Sequence, residues 1–177
     1  MLIEAETRLQ EATLVRAAQG GDRVAFGTLY ERYGRLVHGI ILAHVHYHDA
    51  EDVMQDVFVK ALEQLHNLRE PAAFCGWLIS IARRAAADHR RMRKSMLNPG
   101  RLLAGRTPPA ALESFAILEA IKRLPESYRE TLILRLVEGM TGPEIAARTG
   151  LTADSVRVNL CRGMKLLRAC LGEQAKV

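Results

Sequence analysis

Aromatic side chains are scarce in this chain, with four Phe, four Tyr and one Trp in 177 residues. The apolar residues are mostly Leu, Ala, Ile and Val, a composition that suits helices. No apolar run is long enough to span a membrane. The amino terminus, MLIEAETRLQEATLVRAAQ, carries acids and lacks the basic-then-apolar order of a secretion signal. The three cysteines, Cys75, Cys161 and Cys170, are odd in number and form no CxxC pair. Reduced thiols in a cytoplasmic protein are the expectation. There is no strand pair with an Asn-Gly hairpin signal, no internal repeat and no low-complexity tract. Glycines cluster only at helix ends, so no phosphate-cradling loop is expected. No Ser/His/Asp or Cys/His set is placed to act as nucleophile and base. The expectation is a protein that is not an enzyme and needs no cofactor.

Nearly half of the residues are apolar, enough for a packed core, and the length allows one large domain or two small ones. The formal net charge is +5, and its placement says more than its size. Between Asp49 and Glu70 stand Asp49, Glu51, Asp52, Asp56, Glu63 and Glu70 against Lys60 and Arg69. Between Arg83 and Lys94 stand Arg83, Arg84, Arg90, Arg91, Arg93 and Lys94 against Asp88. Basic faces suit phosphate backbones, and an acidic helix suits a basic protein partner.

Helical periodicity runs through the chain. A lead helix ends at Gly20-Gly21, and Asp22 can cap a second with the stripe Phe26, Leu29, Tyr30, Tyr33, Val37, Ile40 and Ile41. Asp49 to Leu65 reads as a third, with Val53, Val57, Ala61, Leu62 and Leu65 inward and Asp52, Gln55, Asp56, Val59, Lys60 and Glu63 outward. On composition alone that outer face is a solvated surface. After a loop from His66 to Pro71, a long helix from about Ala72 to Arg93 turns Phe74, Trp77, Leu78, Ile81 and Ala85 inward. It turns Arg83, Arg84, Ala87, Arg90, Arg91 and Lys94 outward. Asn98-Pro99-Gly100, Gly105 and Pro108-Pro109 then break the pattern. The division is a domain over 1–94, a flexible basic linker over 95–111 and a second domain over 112–177. In the latter, Phe115, Leu118, Ile121 and Leu124 mark one helix, and Glu126 to Glu138 another.

The stretch from Thr141 to Leu171 is the most informative. Thr141 and Glu144 have capping-box spacing, with Gly142 and Pro143 in the first turn. Gly150 supplies a left-handed stop, and Thr152 caps a second helix with Asp154 in its first turn. Val156, Leu160, Met164, Leu167 and Leu171 recur at helical spacing, while Arg157, Cys161 and Lys165 lie on another face beside Val158 and Arg162. This is the helix-turn-helix pattern for reading a major groove, although an ordinary helical hairpin shares much of it.

His44, His46 and His48 stand close together, and His44 and His48 could share a helix face. Without a fourth ligand or a HExxH motif, the expectation is a helix end with polar side chains in solvent and no metal.

Three stretches in order resemble a known family. DAEDVMQDVFVKALEQL resembles the second helix of the sigma-two domain of bacterial sigma factors, and FCGWLISIARRAAADHRR resembles the helix that follows it. LPESYRETLILRLVEGMTGPEIAARTGLTADSVRVNLCRGMKLLR resembles the sigma-four domain. Two such domains and a short linker resemble the extracytoplasmic-function class of RNA polymerase sigma factors, and the likeness covers about Asp22 to Leu171. It implies an all-α fold of two small helical domains, the second ending in the helix-turn-helix.

The resemblance also implies roles. Asp49, Asp52, Gln55 and Asp56 match the helix that docks on the β′ clamp helices of core RNA polymerase, which reverses the reading of that face as merely solvated. The β subunit is implied as a further contact. Asn67 and Arg69 lie in the loop matching the receiver of a flipped minus-ten base. Arg83, Arg84, Arg90 and Arg91 match the helix that holds the single strand. Thr152, Ser155, Arg157, Val158, Cys161, Arg162 and Lys165 fall in the helix that reads the minus-thirty-five element. The implied function is promoter recognition and transcription initiation as a transient polymerase subunit, silenced by an anti-sigma factor. The chain departs from the family at HVHYH, where a shorter loop is expected, and at Cys161, where larger side chains often reach bases. The alternative is a free-standing helix-turn-helix regulator, which leaves the acidic helix and the arginine row without a role.

Overall fold

A computed structural model describes the backbone over 2–96 and 109–174, with side chains over 9–95 and 116–172. All regular structure among the described residues is helical: α1 (Leu2–Gln19), α2 (Arg23–Leu42), α3 (Tyr47–Gln64), α4 (Phe74–Met96), α5 (Pro109–Arg123), α6 (Glu126–Leu136), α7 (Gly142–Thr149) and α8 (Ala153–Gln174). Two single 3₁₀ turns, Leu65–Asn67 and Pro71–Ala73, join α3 to α4. Most of the expected linker lies outside the described residues.

Local chemistry explains the ends. The Asp22 carboxylate accepts from the backbone N–H groups of Val24 and Ala25, at 2.8 and 3.1 Å, and starts α2. The third helix begins at Tyr47, two residues before its expected start, with His46 as an N-cap that makes no side-chain bond.

Helices α1 to α4 pack through apolar side chains, with Leu29, Leu36, Val57, Phe74 and Leu78 fully buried. Aromatic edges join them: Phe26 meets Phe58 edge-on at 6.5 Å, and Tyr33 meets Phe74 at 5.4 Å. Trp77 packs against Phe74, consistent with a core anchor. Leu62, expected inside, is half exposed, and Phe58 takes its place in the core. The Gln19 side-chain amide donates to the carbonyls of Leu65 and Leu68, at 3.0 and 2.8 Å, and so pins the loop after α3.

In the second half Leu118, Ile121, Leu124, Leu132, Ile133, Ile145, Val156 and Leu167 are buried. The two halves share one apolar core, with α6 packed on α2 and α7 on α4.

Candidate nucleic-acid and polymerase interface

The helix-turn-helix is built from side-chain caps. Thr141 and Glu144 form the reciprocal capping box: Thr141 N–H donates to Glu144 Oε2 at 2.7 Å, and Glu144 N–H donates to Thr141 Oγ1 at 3.4 Å. The bond from the Thr141 backbone holds the Glu144 carboxyl below its ordinary range. Gly150 stops α7 at φ 76°, a conformation strained for any residue with a Cβ. Thr152 Oγ1 then accepts from Ser155 N–H at 3.1 Å and opens α8.

The inner side of α8 buries Val156 and Leu167, with Leu160 and Met164 half buried. The opposite side leaves Ser155, Arg157, Val158, Cys161, Arg162 and Lys165 exposed, and Thr152 is exposed at the cap. These seven positions therefore stand together on one exposed surface. Arg157 leans on Asp154 at 3.2 Å, but the two side chains are 77% and 87% exposed. An ion pair so open to water is weak and yields readily to another partner.

The minus-ten candidates do not all stand free. Arg84, Arg90 and Arg91 are exposed along α4, and Asn67 and Arg69 are exposed in the loop before it. Arg91 pairs with Asp88 one turn earlier. Arg83 instead reaches the second domain and clamps Glu130 of α6 by two bonds, Nε to Oε1 at 3.0 Å and Nη2 to Oε2 at 2.7 Å. Partial burial works to raise the Glu130 carboxyl, but bonds from His44 and Arg83, with the Arg83 charge, outweigh it and hold the carboxyl down at about 2.

The acidic set also divides. Asp52, Gln55 and Asp56 are exposed on α3, alongside Val59 and Lys60. Asp49 is half buried and turned toward α4, where it accepts from His89 Nε2 at 3.2 Å and from Arg93. Burial favours the neutral Asp49 acid, yet the His89 bond and the Arg93 charge keep the carboxyl below its ordinary range.

The histidine group is corrected. His44 and His48 share no helix face, since His44 lies in the turn between α2 and α3. Its side chain is only 9% exposed and bonds Glu130 Oε1 at 3.0 Å. His38 was overlooked altogether: its Nδ1 lies 2.7 Å from Glu138 Oε1, and that hydrogen bond, working against burial, raises its affinity for a proton. Desolvation lowers that of His46. Among the described residues no three His, Cys, Asp or Glu side chains converge as metal ligands. Cys75 is a partly buried thiol pushed up to about 11 by burial, and it donates to the carbonyl of Arg148. No described helix is long and apolar enough to cross a membrane.

Residues 29–96 match the family Sigma-70 region 2, and residues 114–167 match Sigma-70, region 4. The chain is 32% identical over 177 residues to the RNA polymerase sigma factor NccH of Alcaligenes xylosoxydans xylosoxydans, covering 92% of this chain and 95% of that one. It is 30% identical to the ECF RNA polymerase sigma factor BldN of Streptomyces coelicolor, over 92% of this chain and 66% of the relative. A solved structure of CnrH in complex with the cytosolic domain of CnrY superposes with a TM-score of 0.64 at 28% identity, covering 92% of this chain and 97% of CnrH. Two matched regions in order, on a helical scaffold that ends in a capped helix-turn-helix, place this chain in the extracytoplasmic-function class of RNA polymerase sigma factors.

Proposed function

We propose that this sigma factor divides its work over three surfaces. Asp52, Gln55 and Asp56 dock on core polymerase, with Asp49 bracing their helix from beneath. Arg84, Arg90 and Arg91, joined by Arg83 once it is released, hold the melted minus-ten strand, and Asn67 and Arg69 border the pocket for an extruded base. Thr152, Ser155, Arg157, Val158, Cys161, Arg162 and Lys165 face the minus-thirty-five duplex. The chain acts in the cytoplasm as a non-enzymatic subunit, and the polymerase supplies the chemistry. An anti-sigma factor silences it, the family's mode of control; CnrH, a relative, is solved with the cytosolic domain of CnrY.

The observation that carries the reading is the separation of charge on a rigid frame. An acidic row on α3 and an arginine row on α4 are both exposed, beside a capped helix with an open polar face. Acidic side chains repel DNA, so the α3 row suits a basic protein partner. Like charges crowded on α4 are relieved by phosphates, and a single strand can follow such a row while its bases turn into neighbouring pockets.

The test is holoenzyme on a duplex promoter and on one pre-melted at the minus-ten element, with Arg84 and Arg91 changed to Ala. The variant should lose opening of the duplex, and single-strand binding should fall with salt at a slope of about −0.7 per phosphate neutralised. Equal opening by variant and wild type would reduce the arginine row to a solvated face. A free-standing regulator would bind duplex without polymerase and would not co-purify with the core enzyme.

A further inference from the structure

The contact between the two domains is more than incidental packing. Leu36, Val37, Ile40, Ile41, Leu42 and Ala43 of α2 and its end are all fully buried. So are Leu132, Ile133 and Leu134 of α6. Three consecutive helical residues point over about 200° of arc, so each helix end is covered from more than one side. The domain each helix belongs to covers one side, and the opposite helix helps to cover the other.

The match between the helices is specific. Gly39 of α2 faces Leu134 of α6, and a Cβ at position 39 would lie 2.7 Å from Leu134 Cδ2 and 2.9 Å from Glu138 Cγ. On either side of this close approach stands a histidine–glutamate pair. His38 bonds Glu138 at 2.7 Å, and His44 bonds Glu130 at 3.0 Å. Histidine numbers rise as glutamate numbers fall, so α2 and α6 run antiparallel. Arg83 adds its two bonds to Glu130. At a third point Arg148 of α7 donates to the Arg32 carbonyl at 2.7 Å, and its guanidinium lies 5.5 Å from the centroid of the Tyr33 ring.

We propose that α2 and α6 form a clasp that holds the polymerase-free chain shut, built from the Gly39–Leu134 approach and the His38–Glu138 and His44–Glu130 pairs, and that closure ties up part of each functional face, Arg83 of the arginine row and the Gln55 margin of the docking row. A cleft of about 360 Å³ where α4 meets α6 is lined by Arg83 and Arg90 together with Glu126 and Glu130. The second domain therefore sets carboxylates against Arg83 and beside Arg90, in the place of phosphates. At the other end of the clasp a cleft of about 420 Å³ joins Glu138 and His38 to Glu51 and Gln55, at the margin of the acidic docking row. The closure itself stands on the contacts alone; its consequence for DNA and polymerase rests on the proposed division of surfaces. HVHYH, longer than the family's loop, is thereby given a use, since it carries His44 to Glu130.

The experiment is small-angle X-ray scattering of the full free chain near pH 6, without polymerase or DNA, followed by core-polymerase binding. The closed chain should have a radius of gyration of about 16 Å. Gly39→Leu should open it to a clearly larger radius, because the nearest atoms a side chain there would meet are those of Leu134 and Glu138 of the other domain. The pair Glu130→Gln with Glu138→Gln should open it from the opposite side, and far-UV circular dichroism checks that both variants remain helical. Opened variants should bind core polymerase at least threefold more tightly, because apparent affinity is reduced by the fraction of chains that are open. A wild-type chain already extended, or helical variants that stay compact, would overturn the clasp. Open variants with unchanged polymerase affinity would overturn the withholding of the docking face. Failure of the surface assignment, such as normal promoter opening by the Arg84 and Arg91 variant, leaves the scattering result standing, so the two readings fail separately.

Discussion

Arg83 of α4 and Glu130 of α6 meet side-on in a two-bond fork across the domain boundary, with bonds of 3.0 and 2.7 Å. Glu130 is 17% exposed and Arg83 48%, so the carboxylate has more to lose when the pair breaks. Arg83→Ala leaves a largely buried acid held by His44 alone and should destabilise the free chain by about 1–3 kcal/mol. Arg84→Ala, one residue along and exposed, should change stability by less than about 0.5 kcal/mol. Urea unfolding of both variants checks the contrast, and equal midpoints would remove Arg83 from the seam.

Two groups at this seam set limits on pH. The Glu130 carboxyl is held at about 2 rather than 4.5. A lowered acid contributes stability above its ordinary value and loses it on acidification, here between about 4.5 and 2, an effect of about 3 kcal/mol when complete. His38 is shifted the other way. Glu138 faces it from the end of α6 and Glu51 from α3, while Arg35 of its own helix lies 4.0 Å from Glu138. Its contribution is full below its ordinary value of 6.5 and is lost as pH rises through the raised one. The contribution of these two seam groups should therefore be greatest between about pH 4.5 and 6.5, with His46 opposing it as pH falls, read as the thermal midpoint against pH. A His38→Gln variant should lose the alkaline slope, and an unchanged slope would deny His38 that part.

Asp49 and Asp52 share a helix but should respond differently to change. Asp49→Asn removes the charge that His89 and Arg93 face. It should lower the thermal midpoint by about 2–4 °C, equivalent to roughly 1 kcal/mol in a chain of this size. Reversing Asp52 and Asp56 to Lys should leave the midpoint nearly unchanged and weaken binding to core polymerase. Unaltered core affinity in that double variant would sink the docking assignment.

These contrasts mark what could be read from sequence. Thr141, Glu144, Gly150 and Thr152 act within a few residues of themselves, so the helix-turn-helix was legible from local chemistry, as was the Asp22 cap. The roles of His44 and Asp49 depend on residues far along the chain: Glu130 lies 86 positions from His44, and Arg93 44 positions from Asp49. A helical wheel groups Asp49 with Asp52 and Asp56 because it knows the angle of the Cα but nothing of α4 alongside. One signal for the clasp was available. Gly39 interrupts an apolar helix at a cost of about 1 kcal/mol relative to Ala, and such a glycine often marks close approach of another element. Nothing local, however, says which element approaches.

The recognition helix allows the sharpest test of contact type, because its candidate side chains stand open. Arg157 is held only by Asp154, itself almost wholly exposed, so DNA can take it at little cost. If Arg157 grips a guanine edge with both guanidinium donors, Arg157→Ala should cost about 1–3 kcal/mol, almost all at one base pair. If it meets a phosphate, the loss should be the same on every sequence, and the slope of log affinity against log salt should shrink by about 0.9. Lys165 lies more than three turns along α8 from the Thr152 cap, and its single ammonium suits a phosphate; Lys165→Ala should show the second pattern. Cys161 stands exposed between them with a short side chain, which on the proposed assignment would leave room above the bases at that point. Cys161→Arg should therefore add a contact and alter base preference at one position without disturbing the fold, since nothing buried is displaced. Competition binding of holoenzyme to promoters substituted singly across the minus-thirty-five element separates these outcomes. An Arg157→Ala variant that transcribes normally from a promoter dependent on that element would refute both versions of its role.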